Sequence, residues 1–110
     1  MEHYNVKFTE NARSDIRASV HYIAVDLREP DTAKRMAVRF KEEIASLKNM
    51  PDRFPLVPDR YLASLGFRMT SVGNYLIFYL VSHEKGQVEI SRVLYGKRNW
   101  IGILTAQNEG

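Results

Sequence analysis

The chain has 110 residues, 45% of them hydrophobic and 26% charged, with a formal net charge of +3 and no cysteine. That length fits one domain around a single core, and the lack of cysteine excludes disulfides and thiolate metal sites. A sequence pI of about 9.3 permits a nucleic-acid or acidic-protein partner without demanding either.

The opening Met1-Glu2-His3-Tyr4-Asn5 carries no basic-then-apolar leader. No apolar run approaches the roughly 18 residues of a membrane span, so a soluble, cytoplasmic protein with no membrane partner is expected. From Tyr4 to Phe8, apolar Tyr4, Val6 and Phe8 alternate with Asn5 and Lys7, the period of a strand. Thr9-Glu10-Asn11 offers an N-cap. Ala12, Ile16, Val20, Ile23 and Leu27 follow as one apolar stripe along a helix.

Glu29-Pro30-Asp31 ends that helix and begins another, with Pro30 in the first turn, where its missing N–H is harmless. Ala33, Met36, Ala37, Phe40, Ile44 and Leu47 give the second stripe. So short a connection predicts an antiparallel helical hairpin. Met50 to Leu65 contains Pro51, Pro55 and Pro58 and reads as an extended loop.

Three strands complete the pattern. Phe67 to Val72 turns at Gly73-Asn74 into Tyr75 to Val81, whose apolar residues at both parities mark a central strand covered on two faces. Glu84-Lys85-Gly86 turns into Gln87 to Tyr95, where the step from Val88 and Ile90 to Val93 predicts a bulge or a stretch covered on both sides. Lys97 to Leu104 is a terminal turn or helix. The expected fold class is α+β, in the order β-α-α-β-β-β. A helical hairpin packs on one face of a mainly antiparallel sheet, and the other face stays partly open. Residues 1–110 form a single domain.

Several segments together resemble the RelE/ParE toxin superfamily. They are "TENARSDIRASVHYIA", "EPDTAKRMAVRFKEEIASLKNMP", "GFRMTSVGNYLIFYLV" and "VEISRVLYGKRNWIGIL", in that order. The resemblance implies the toxin of a type II toxin–antitoxin system, a bacterial growth inhibitor silenced by a cognate antitoxin protein. It offers two targets. ParE-like members poison DNA gyrase; RelE-like members are ribosome-dependent, metal-independent mRNA interferases.

Metal-free RNA cleavage needs a base for the 2′-OH, cations for the phosphorane and an acid for the leaving oxygen. By resemblance, Arg68 and Arg98 occupy basic positions of the nuclease branch. Tyr75, however, stands where that branch carries an arginine, and Leu104 falls near its C-terminal tyrosine. Tyr95 is the nearest substitute. The Tyr75 strand and "RVLYGKRNW" look closer to the ParE branch, so a non-hydrolytic gyrase poison is expected, with mRNA cleavage as the alternative.

The candidate target-binding residues are Arg68, Tyr75, Arg92, Lys97, Arg98 and Trp100. No residue is assigned a catalytic role with the ParE reading; as a nuclease the set would be Arg68, Arg98 and Tyr95. Arg92 has two readings, a pair with a carboxylate such as Glu89 or a contact to the target. Trp100, with Ile101 and Leu104, closes the core or a groove for the antitoxin. Arg68 and Arg98, read as exposed, should tolerate alanine without loss of stability. His3, His21 and His83 lack metal-ligand spacing, and a turn histidine such as His83 is more often solvated than catalytic. No metal and no cofactor are expected.

Overall fold

Strands β1 (Asn5–Phe8), β2 (Arg68–Val72), β3 (Tyr75–Ser82) and β4 (Gln87–Tyr95) form one sheet in the order β1-β4-β3-β2. This is seen in a computed structural model that describes residues 3–109. β1 runs parallel to β4, whereas β4 and β3, and β3 and β2, are antiparallel. The class is α+β, as the pattern predicts.

The expected bulge is real and has a fixed position. Phe78 pairs with Arg92 and Tyr79 with Ile90, which leaves Ser91 as the extra residue in β4. Because of it, Val88, Ile90 and Val93 all enter the core under the helices, while Leu94 enters the core on the opposite face. Thr9 holds the bulge. Its N–H donates to the Ile90 carbonyl at 3.1 Å and its hydroxyl to the Ser91 carbonyl at 2.8 Å. The same Thr9 oxygen accepts the Ala12 N–H and caps helix α1 (Glu10–His21).

Beyond His21 the helix widens into a π-helical turn, Tyr22–Asp26, with the Leu27 N–H donating to the Tyr22 carbonyl. The wider turn shifts the phase of the apolar stripe. Leu27, expected in the core, is instead 51% exposed. Helix α2 (Pro30–Ser46) begins at Pro30 and buries Ala33, Phe40 and Ile44. Arg53 then caps its far end, donating to the Ser46 and Asn49 carbonyls at 3.1 and 2.7 Å. Together α1 and α2 cover one face of the sheet, against Ile77, Tyr79, Ile90 and Val93.

The opposite face departs from expectation. Met50 to Leu65 is not simply an extended loop. Pro51–Arg53 is a 3₁₀ turn, and Arg60–Ser64 is a short helix, α3, capped by Asp59 through the Leu62 N–H at 2.9 Å. Helix α4 spans Trp100–Glu109, longer than the terminal turn predicted. With α3 it supplies a second core of Val57, Leu62, Phe67, Phe78, Leu94 and Leu104. That face is therefore covered at its β2–β3 end, leaving Asn5, Lys7 and Glu89 exposed at its other corner.

Candidate functional site

β1 ends at Phe8, opposite Ile90, whereas β4 continues to Tyr95. Past that point, among the described residues, β4 has no neighbouring strand on the β1 side, and α1 crosses instead. A strand edge left this way must find other partners. Asp15 provides them. Its carboxylate accepts the Val93 N–H at 2.9 Å and two Arg92 bonds, Nε at 2.7 Å and Nη2 at 2.8 Å. Both charged side chains are nearly buried, 10% exposed for Asp15 and 16% for Arg92. The Asp15 hydrogen bonds push the Arg92 pKa up, against the opposing effect of burial. Arg92 thus takes the first of its two readings, with Asp15 rather than Glu89 as the carboxylate. Its Nη1 also reaches Gln107 of α4 at 3.3 Å.

Beyond this pair the sheet and the α1–α2 hairpin diverge, and a cleft of about 820 Å³ opens between them. That volume is in the range of ligand and partner sites. Its walls are Ile23, Leu27 and Met36 on the helical side and Tyr75, Val93 and Tyr95 on the sheet side, with Glu29 and Arg98 as charged lining residues beside the paired Asp15. Tyr75 packs edge-on against Phe40, at 5.6 Å between centroids, and against Tyr95 at 5.7 Å. So Tyr75 is half-buried cleft wall, while Tyr95, Lys97 and Arg98 are exposed. Gly96 permits the sharp exit from β4; its N–H donates to the Asn74 carbonyl at 2.8 Å, and a Cβ there would lie 3.2 Å from that oxygen.

Arg68 is elsewhere. It begins β2 opposite Tyr79, and its Nη1 donates to the Phe54 carbonyl at 2.6 Å while Nε lies 3.5 Å from Asp52. The same Asp52 carboxylate lies 3.1 Å from His83 Nε2, and His83 Nδ1 meets the Tyr4 hydroxyl at 2.7 Å. His83 is therefore not a merely solvated turn residue: it links the start of β1 to the loop after α2. Alongside, fully buried Tyr79 donates its hydroxyl to the Pro51 carbonyl at 2.7 Å, and burial pushes its pKa up to about 12. This end of the molecule is a clasp of polar contacts.

The structure thus separates the candidates that the sequence groups together. Tyr75, Tyr95 and Arg98 share the cleft, and Lys97 stands next to Arg98 on the exposed connector. Arg92 forms the wall behind it through Asp15. Trp100 lies on the opposite face, its ring 5.0 Å from that of Phe78, and closes the second core with Leu104. Arg68 is four β3 residues from Tyr75, roughly 13 Å along the strand. Asp52 and Tyr4 went unmarked in the sequence, and Asp15, between Arg13 and Arg17, reads there as part of a solvated helix face, because each meets its partner far along the chain. Asp15 and Arg92, for example, are 77 positions apart. Among the described residues no cluster of three or more His, Asp or Glu could hold a metal, and no helix is long and apolar enough to cross a membrane.

The family model for the ParE toxin of the type II toxin–antitoxin system parDE matches residues 6–100. No curated protein matches the chain significantly. Among solved structures, the fold is similar to the chromosomal ParDE toxin–antitoxin system of P. aeruginosa, at 18% identity and a TM-score of 0.65, over 84% of this chain and 95% of that one. It is similar to the toxin–antitoxin complex RelBE2 of Mycobacterium tuberculosis at 26% identity and 0.56, over 86% and 93%. It is also similar to the isolated E. coli RelE toxin at 14% and 0.57, over 97% and 99%.

Proposed function

The chain belongs to the ParE toxin family of type II toxin–antitoxin systems, and on that premise we propose that it poisons DNA gyrase without hydrolysing nucleic acid. One observation carries the choice over mRNA cleavage. A phosphorane needs its cations and its proton-transfer groups around one phosphorus atom. Here Arg68 is engaged by Asp52 and Phe54 at a different end of the sheet from Arg98. Leu104, near which the resemblance places the tyrosine of the nuclease branch, is fully buried in the second core. What is left at the cleft is an exposed cationic and aromatic surface, Tyr95, Lys97 and Arg98, which is suited to binding.

The same cleft explains neutralisation. Ile23, Leu27, Met36 and Tyr75 form an apolar trough, with Arg98 available to a carboxylate. A flexible antitoxin tail that orders on binding, apolar along one side and acidic opposite Arg98, would fill the trough and cover the target-binding surface in one step. This reading takes the antitoxin to be a protein made with the toxin, and a toxin of this kind acts in the cytoplasm.

A second reading, a ribosome-dependent mRNA interferase, is motivated by Tyr95 sharing the cleft with Arg98. Expression without antitoxin separates the two when DNA supercoiling and primer extension are read from the same arrested cells. The gyrase reading predicts altered supercoiling with transcripts intact. Codon-specific transcript ends with normal supercoiling would transfer the function to the interferase, and unimpaired growth would reject both.

A further inference from the structure

The two edges of the sheet are treated differently. The β2 edge is occupied: the Met69 N–H donates to the Pro55 carbonyl, the Val57 N–H to the Phe67 carbonyl, and Leu56 bridges Arg68. Among the described residues the β1 edge has no such cover. Asn5 and Thr9 send their N–H groups toward β4, to the carbonyls of Gly86 and Ile90. Strand alternation therefore turns the N–H and C=O of Val6 and Phe8 outward, off the sheet. Among the described residues no hydrogen bond uses them.

A groove of about 370 Å³ runs beside this edge, separate from the cleft. Val6, Phe8, Ile16, Phe40 and Ile44 supply its apolar lining. Val6, Phe8 and Ile16 pack against the core yet stay only half-buried, because the groove opens between β1 and the helices beside it. Its charged lining residues are Lys41 and Lys48, both exposed, and the Arg13 guanidinium sits 5.1 Å over the Phe8 ring. Both charged residues that line the groove are therefore positive.

We infer that the β1 edge and its groove accept an extended, acidic segment of a partner polypeptide as a fifth strand. The open main-chain groups of Val6 and Phe8 bind its backbone, the groove takes alternate apolar side chains, and Lys41 and Lys48 select carboxylates. Strand addition draws affinity from main-chain bonds and specificity from side-chain pockets, and this edge offers both. A short strand flanked by cationic side chains is also how a sheet edge avoids indiscriminate pairing while remaining able to pair with acid. The inference does not depend on whether gyrase is the target.

The test uses the full-length chain and a capped nonapeptide in which valine alternates with glutamate, with a valine–lysine peptide as the charge-reversed control. The glutamate peptide is expected to bind and to slow amide exchange at Val6 and Phe8 by about tenfold or more. The double variant Lys41→Glu, Lys48→Glu should weaken it by at least about tenfold, since rim charges govern such selection. Val6→Pro should weaken it as well, because it removes an outward N–H that no sheet bond uses. Equal binding of the lysine peptide, or unchanged exchange at Val6 and Phe8 with the glutamate peptide bound, would overturn the inference. So would protection of those amides by self-association of the free protein, which would make a second copy the occupant. Supercoiling assays on the charge-reversal variant report separately on the gyrase reading.

Discussion

The two ends of β3 carry similar residues and do opposite things with them. At the Ser82 end, Tyr4, Asp52, Arg68, Tyr79 and His83 bond to one another or to backbone carbonyls, and the arginine is used up in holding the loop after α2. At the Tyr75 end, Tyr95, Lys97 and Arg98 project from the edge of an open cleft. Arginine and tyrosine are versatile enough to serve as either fastener or contact surface. What decides between these roles is whether the fold supplies a polar partner, and among the described residues it does so for Arg68 and Tyr79 but not for Arg98. Between the two lies the Asp15–Arg92 pair, which faces the cleft but belongs energetically to the clasp.

The comparison breaks most visibly at that pair. Asp15→Ala would leave Arg92 charged and nearly buried and the Val93 N–H without its acceptor, so it should destabilise the fold by about 3–5 kcal/mol. Chemical denaturation measures this. A loss below about 1 kcal/mol would show that the pair is no more than a surface contact.

Next in size is an alkaline effect at Tyr79. Its folded pKa is raised from 10.0 to about 12, so the stabilisation is complete below pH 10 and is lost as pH rises through about 12. Two units correspond to roughly 3 kcal/mol. Stability measured from pH 9 to 12 should fall accordingly, and Tyr79→Phe should flatten that part of the profile. An unchanged slope in the variant would mean that the hydroxyl is not the titrating group.

A smaller effect separates the two arginines. Arg68→Ala removes a 2.6 Å bond to a backbone carbonyl and a half-exposed ion pair, and should cost about 1–2 kcal/mol. Arg98→Ala, at an exposed position, should change stability by no more than about 0.5 kcal/mol. From sequence alone both arginines look equally expendable to the fold. Thermal melts of the two variants side by side check the asymmetry, and equal melting temperatures would erase the distinction between the ends.

Much of the architecture was legible because it rests on local patterns. The apolar parity of Val88, Ile90 and Val93 contains the bulge, and Gln87 to Tyr95 is β4 residue for residue. Pro30 marks the start of α2. The misses have physical causes. The π-helical turn is hidden because the spacing from Ile23 to Leu27 suits an α-helix equally well; only the exposed Leu27 reveals the shift. The prolines between Met50 and Leu65 mask Asp59, whose carboxylate is enough to cap α3. With α3 overlooked and α4 read too short, the second face seemed more open than it is. At the site, Tyr95 and Arg98 could be found from the segment that carries them, because they stay together in sequence and in space. The clasp could not, since Tyr4 and His83 are brought together only by the parallel pairing of β1 with β4.

The most direct test of the central claim is gyrase supercoiling measured with purified wild-type protein and the Arg98→Ala variant. The account predicts inhibition by wild type near stoichiometric amounts, and at least about tenfold weaker inhibition by a variant that melts at the same temperature. Supercoiling left untouched by a stoichiometric excess of folded wild-type protein would contradict it.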